Sequence, residues 1–302
     1  MQRNIIYFIN PISGTKNKGA LLQKIGEATK QKNILYQVLE TNRDGDYSFL
    51  PEKIEKENIT DIIVCGGDGT VNQVARAVLD CDVNIGIIPM GSGNGLALAA
   101  GLPQATGKAL SIIFDGHASP IDGFYINGAF SCMLCGLGFD AQVAHDFALQ
   151  PKRGLATYAK QTMKNFVVAE PYSFIINIDG IKIKEAAFFI SVANSNQFGN
   201  HVTIAPQASI SDGLLDVVIV KKMSKLRLLY SLIKQIRIGQ ITGVEKKFHK
   251  EDILYIQTKS LTIENPMNAP LHIDGDPAIT SALLNIQIRE KAFRLLQPAG
   301  GV

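Results

Sequence analysis

Three short glycine-rich stretches are the first places where this sequence could do chemistry: Asn10-Pro11-Ile12-Ser13-Gly14, Gly66-Gly67-Asp68-Gly69-Thr70 and Gly91-Ser92-Gly93-Asn94-Gly95. Each follows an apolar run and precedes a helical pattern. Glycine lets backbone N–H groups approach a ligand closely. A helix N-terminus adds unpaired donors and partial positive charge. Together they make a cradle for phosphate. Any one of these loops would serve equally well as a tight turn. Three of them at one sheet edge, each carrying Ser, Thr or Asn, point to a nucleotide site. Asp68 stands out among them. A carboxylate among phosphate-facing N–H groups repels phosphate unless it serves Mg²⁺ or a proton; the alternative is that it caps the helix that follows.

The common phosphate motifs do not fit. Gly14 and Gly19 have P-loop spacing, but Ala20 occupies the lysine position. Gly91-Ser-Gly-Asn-Gly is not G-x-G-x-x-G, and no H-R-D and D-F-G pair marks a protein kinase. Cys132-x-x-Cys135 has half the spacing of a zinc or redox site, but no second pair accompanies it. It lies in an apolar, strand-like run, where residues three apart face opposite ways. Core packing is the expectation for both.

These loops need a scaffold, and the patterning supplies one. Strand-like runs at Asn4–Ile9, Tyr36–Leu39, Asp61–Cys65 and Asn84–Ile88 alternate with helical stripes at Gly19–Lys30, Leu50–Glu57, Val71–Leu79, Leu96–Ala100 and Thr106–Phe114, with Thr106 as N-cap. Continuously apolar strands between helices predict a parallel sheet covered on both faces. The three loops then emerge at its carboxyl edge. After about residue 122 strand follows strand: 129–135, 173–178, 181–192, 214–220, 253–257, 261–264 and 283–289. Asp179-Gly180 between two alternating runs is a hairpin signal. Helical patterns recur near 155–168 and 225–238. The fold class expected is therefore an α/β N-terminal domain with a parallel sheet (1–122) plus a mainly antiparallel β-sandwich second domain (123–291). The tail, 292–302, is a candidate to return to the first.

The bulk numbers agree with a folded globular chain. The chain has 302 residues, 46% hydrophobic and 19% charged, enough for a sizeable core. A net charge of +3 is too mild to argue for nucleic acid. Neither a signal-peptide pattern nor an apolar run near the ~18 residues of a membrane span is present. The expected location is the cytoplasm, at most peripheral at a membrane.

NPISG, GGDGT and GSGNGLA, in this order, resemble the diacylglycerol kinase catalytic family, which includes bacterial soluble lipid kinases and is related to sphingosine and ceramide kinases. GGDGT alone is shared with NAD kinases; the whole series is specific. The resemblance continues through IDGFYINGAFSCMLCGLGFDAQV, KRGLATYAK, FGNHVTIAPQASISDGLLDVVIV and IDGDP, and so covers most of the chain. It implies ATP-dependent phosphorylation of a lipid hydroxyl, with Mg²⁺. By position, the nucleotide would be lined by Asn10, Pro11, Ile12, Ser13, Gly14, Thr41, Gly66, Gly67, Asp68, Gly69, Thr70, Val71, Asn72 and Ser92. Asp212 would bind a structural Mg²⁺ with carbonyls from Ser209 and Leu214.

The resemblance also brings out two departures. The family's late D-G-E-P motif reads Asp274-Gly275-Asp276-Pro277 here. Asp276, one methylene shorter than Glu, would be the general base, with Asp274 as competitor and a structural turn as the bland alternative. Many diacylglycerol kinases carry an acid where this chain has Gly95, whereas sphingosine and ceramide kinases lack it, so the acceptor lipid stays open. The expected partners are a lipid substrate and a membrane surface, not nucleic acid; a homodimer is left open. The stretch from Lys221 to Arg237 is basic and amphipathic, suited either to anionic lipid or to packing on the sandwich. Two rival readings remain. An NAD kinase is disfavoured because no Thr-Gly-Ser-Thr-Ala-Tyr-like stretch occurs in the second half. A non-catalytic lipid-binding protein is disfavoured by retention of Asp68, Asp212 and Asp276.

Overall fold

The structure, a computed structural model, describes residues 2–10, 18–42, 44–151, 154–199, 203–225 and 252–299. In chain order, the first elements are β1 (Asn4–Ile9), α1 (Lys18–Gln31), β2 (Leu35–Glu40), α2 (Leu50–Glu57), β3 (Asp61–Gly66), α3 (Asp68–Ala77), β4 (Asn84–Pro89), α4 (Gly95–Ala99) and α5 (Thr106–Asp115). Then come β5 (His117–Ile126), β6 (Ala129–Ser131), β7 (Leu134–Gly138), α6 (Phe139–Ala148), α7 (Leu155–Val168), β8 (Tyr172–Ile178), β9 (Ile181–Ala193) and β10 (Leu215–Lys221). The last are β11 (Ile253–Thr258), β12 (Ser260–Glu264), β13 (Leu271–Ile273), β14 (Asp276–Ala278) and β15 (Leu283–Gln297). The chain forms two compact units, Met1–Ile121 with Lys291–Val302, and Asp122–Glu290.

In the first unit, β1, β2, β3 and β4 pair in parallel in the order β2-β1-β3-β4. The end of β15 adds a parallel strand beside β4, through Arg294↔Asn84 and Leu295↔Ile85. Every residue of β3 is buried, as a strand covered on both faces must be. Ile5, Tyr7, Ile63, Ile88, Ile25 of α1, Leu110 and Ile113 of α5 and Leu296 share one core. Each such aliphatic side chain stabilises the unit by about 1.5–3 kcal/mol. Asp61 is 1% exposed, but it has partners: Arg3 Nε at 2.9 Å, the Thr60 hydroxyl at 2.6 Å and Asn84 Nδ2 at 3.1 Å. Arg3 also donates to the carbonyls of Ile113 and Phe114, the free acceptors at the end of α5. Thr106 does not cap α5. The N-cap position is Ala105, and no side-chain cap bond forms.

The second unit is a β-sandwich-like domain. Its strands run β14-β13-β7-β9-β8-β12-β15, and β10 pairs with β9 and with β11. Those whose register is resolved pair antiparallel. The 13-residue β9 serves two neighbourhoods: Ile181–Ala187 pair with β8, and Phe189–Ala193 pair with β7. Asp179 and Gly180 make the tight hairpin turn between β8 and β9, both left-handed (φ 51° and 80°), with Ile178 opposite Ile181. Phe124, Phe174, Ile176, Ile190, Val217, Ile263 and Ile286 lie in one core. The expected single strand over 129–135 is in fact β6 and β7, interrupted at Cys132 and Met133. The helical pattern expected over 225–238 lies almost wholly outside the described residues.

Candidate active-site loops

The carboxyl ends of β1, β3 and β4 carry the three glycine-rich loops, and side chains tie them together. Asn10 closes β1 and donates through Nδ2 to the Thr70 hydroxyl at 3.1 Å, joining the first loop to the second. Lys18 Nζ donates to the Asn10 carbonyl at 2.8 Å. Pro11, Ile12, Ser13 and Gly14 lie outside the described residues. Thr41 sits at the end of β2, where its N–H bonds the Ile9 carbonyl at 3.1 Å. A Cβ on Gly91 would lie 2.6 Å from the Gly67 Cα, so the two loop backbones touch as only glycines allow.

Asp68 does not cap its own helix. It is the first residue of α3, and its carboxylate accepts from Gly95 N at 3.0 Å and Leu96 N at 3.2 Å. It thereby satisfies two free donors at the start of α4 and pins the third loop to the second. Asn94, left-handed at φ 52°, accepts from Gly91 N at 2.8 Å and donates back to the Gly91 carbonyl at 2.9 Å. Thr70 and Val71 are buried, Gly67, Asp68, Gly69 and Asn72 are half-buried and Ser92 is exposed. The Val71 side chain belongs to the core, which leaves its backbone for the loop. The result is two glycine-rich loops fixed against each other at one sheet edge.

The second unit holds the two late aspartates, which differ sharply. Asp274 and Gly275 are the left-handed turn (φ 50° and 84°) between β13 and β14, with Ile273 opposite Asp276. The Asp274 carboxylate is buried. It accepts from Ser131 Oγ at 2.6 Å and from the N–H groups of Cys132, Met133 and Leu134 at 3.1, 3.1 and 3.0 Å. Those three successive donors turn toward one carboxylate, which is why the strand breaks between β6 and β7. Cys132 adds a weak S–H contact at 3.6 Å. Asp276, two residues on, is exposed.

Cys132 and Cys135 are buried, free thiols, and burial pushes the Cys135 thiol upward, helped by the charges of Asp274 and Asp140. They pack rather than react. Around the loop expected to hold metal, Asp212 is exposed and accepts from Leu214 N at 3.1 Å, and Asp122 accepts from Gly213 N at 2.8 Å. Ser209 and Leu214 are half-buried there. Asp216 is fully buried. It accepts from the Tyr255 hydroxyl at 2.5 Å and Gln257 at 3.1 Å through Oδ1, while Oδ2 has no partner. Burial raises its pKa against the Tyr255 bond, and the Asp212 charge adds to the rise.

Residues 4–126 match the family model described as diacylglycerol kinase catalytic domain. Residues 134–297, more than half of the chain, match the model described as YegS C-terminal NAD kinase beta sandwich-like domain. The chain belongs to this family of lipid kinases. A Bacillus subtilis relative named "Diacylglycerol kinase" is 27% identical over 90% of this chain and 88% of its own. A Shewanella frigidimarina relative named "Probable lipid kinase YegS-like" is 26% identical over 83% of this chain and 80% of its own. A solved Bacillus anthracis structure superposes with a TM-score of 0.80 at 21% identity, covering 99% of this chain and 98% of that one. At that identity the likeness establishes the fold.

Within this lipid-kinase frame, the structure joins Asn10 to Thr70 and Asp68 to Gly95 and Leu96, all at one sheet edge. Several residues that hold these groups in place have no motif of their own. Ser131 and the 132–134 backbone hold Asp274, and no spacing announces them. Asn94 had one readable signal, since Asn tolerates the left-handed region better than most residues.

Proposed function

We propose that this chain is an ATP-dependent kinase that transfers the γ-phosphoryl group to a lipid hydroxyl, with Asp276 as the general base. The observation that carries the assignment is the contrast within one turn. Asp274 is buried with four N–H and O–H donors on its carboxylate, whereas Asp276 is exposed at the turn's rim. A carboxylate enclosed in this way is shut off from an acceptor hydroxyl. Asp276 lies at the surface, where an acceptor hydroxyl can approach it. It would take the acceptor hydroxyl's proton as the oxygen attacks phosphorus and the bond to ADP breaks.

The nucleotide phosphates would lie against the backbone donors of the loops. The Gly67–Gly91 contact supports this, because it clears side chains from the sheet edge. Asp68 would act first by fixing the third loop, through Gly95 and Leu96. The residues around 209–216 fit a divalent cation. Asp212 faces solvent, and the Asp216 Oδ2 is buried and unpartnered beside it. Among the described residues no three His, Cys, Asp or Glu side chains form a ready-made metal centre, so Ser209 and Leu214 carbonyls and water would complete the set with Asp212. Mg²⁺ supplies charge neutralisation and loop rigidity when bound.

A lipid acceptor implies contact with a bilayer surface. Among the basic residues expected to meet it, Lys221 pairs with Glu185 at 2.8 Å, Lys222 is exposed and Lys225 donates to the Val167 carbonyl at 2.7 Å; Arg227, Lys234 and Arg237 lie outside the described residues. At position 95 the backbone N–H, not a side-chain acid, bonds Asp68. That leaves room for a glycerolipid or a sphingoid acceptor. The test is ATP turnover with Mg²⁺ over vesicles containing diacylglycerol, a sphingoid base or ceramide, with products resolved by mass spectrometry. A phosphorylated lipid from any of the three is the expected result. Lipid binding with no phosphorylated product would overturn it in favour of a binding protein.

A further inference from the structure

A buried His–Asp pair lies directly behind the turn that carries Asp276. His272, in β13, is completely buried. Its Nδ1 is 3.3 Å from the Gly275 N–H, the middle of the turn. An N–H only donates, so Nδ1 is the acceptor, and the neutral ring carries its proton on Nε2. Nε2 lies 3.4 Å from Oδ2 of Asp140 on α6, and the other Asp140 oxygen accepts from Ala141 N at 2.8 Å. Asp140 thus selects the tautomer that leaves Nδ1 open for Gly275. A second α6 residue, His145, bonds the Leu271 carbonyl through Nε2 at 2.7 Å, which holds β13 from its other end.

The surroundings are built for this pair. A Cβ on Gly136 of β7 would lie 2.1 Å from Asp140 Oδ2 and 2.5 Å from His272 Nε2, so the carboxylate sits over a gap that only glycine leaves. Gly136 is opposite His272 in register, and Ser191 of β9 is opposite Gly136. The Phe198 ring meets the imidazole edge-on at 5.6 Å between centroids. Tyr158 of α7 stands near enough for the Asp140 charge, after burial, to help push its phenol upward.

We infer that His272 and Asp140 are positioning residues for Asp276: a neutral Nε2–H imidazole, held by Asp140 in the slot over Gly136, latches the Gly275 N–H and fixes the turn from which Asp276 reaches the acceptor hydroxyl. This rests on the reading of Asp276 as base. Misplacing a catalytic group by about 1 Å costs about 100-fold, and the latch sits one residue from it.

The experiment measures kcat and the KM for ATP, with melting temperature, on the full chain. Asp276→Asn first establishes the base; near-normal turnover in it would reject that reading and this one together. His272→Phe fills the site without an acceptor and is expected to lower kcat by about 100-fold with the KM for ATP unchanged. His272→Asn restores an acceptor near the Nδ1 position and is expected to recover at least tenfold of that loss. Gly136→Ala displaces the carboxylate and is expected to match His272→Phe. Asp140→Asn is expected to lower kcat in the wild-type background, with little further loss in His272→Asn, whose shorter side chain no longer meets it. If Asp276→Asn is inactive while His272→Phe, folded by its melting curve, turns over normally, the latch is refuted and the base stands. Equal losses in His272→Phe and His272→Asn, or equal Asp140→Asn losses in both backgrounds, would mark a purely structural role and also refute it.

Discussion

Two Asp-Gly turns in the second unit have the same backbone and opposite surroundings. Asp179-Gly180 and Asp274-Gly275 both place two left-handed residues between antiparallel strands, with φ of 51° and 80° in one and 50° and 84° in the other. Asp179 is exposed. Asp274 is buried under Ser131 and three N–H groups, with Gly275 held by His272 and Asp276 next in line. The dipeptide encodes the turn in both cases. What sets the second apart is the chain packed around it, from 131–134 and from β13. The same turn thus presents one aspartate buried in a cage of donors and, two residues on, another at the surface.

The sharpest way to break this comparison is Asp276→Asn. Turnover should fall by about 10²- to 10⁴-fold, the usual weight of a general base, with the melting temperature unchanged. Asp68→Ala should come next. It frees two donors at the start of α4 and loosens the third loop, so a loss of about 100-fold in kcat/KM for ATP is expected. Isothermal titration with a non-hydrolysable ATP analogue should find weaker binding.

Stability separates the two turns themselves. Asp274→Ala strips the partners from three N–H groups and a hydroxyl, and urea unfolding should register a loss of at least about 3 kcal/mol. Asp179→Ala removes an exposed side chain that tolerates the left-handed region better than Ala, and should cost about 1 kcal/mol or less. Equal costs would mean that the Asp274 cage contributes nothing. The smallest expected effect concerns metal. Mg²⁺ should raise the melting temperature of the wild type by a few degrees, about 1 kcal/mol at a concentration a few times its Kd, and leave Asp212→Ala unmoved.

Much of this was legible in the sequence, and the reasons are physical. The strands β1, β3 and β4 are almost wholly apolar and each runs into a glycine-bearing loop, so both their place and their parallel pairing can be read. The Asp179-Gly180 hairpin could be read for the same reason that it forms. Asp68 stands out in the sequence, but its partners do not, because α4 begins 27 residues later and only the fold brings Gly95 to it. Over 129–135, apolar composition suggested an unbroken strand. The break depends on Asp274, more than 140 residues away, which no local pattern contains. His272 and Asp140 were invisible for the same reason: each looks ordinary on its own element, and only the β7–β13 register sets them over Gly136.

In the proposed reaction Asp276, not Asp274, accepts the proton. The most direct measurement is phosphoryl transfer from γ-labelled ATP to lipid vesicles by Asp276→Asn and Asp276→Glu, each checked for an unchanged melting curve. The account predicts turnover at least about 100-fold down in the amide variant and restored by glutamate, which keeps the carboxylate. Near wild-type turnover by a folded Asp276→Asn protein would contradict it.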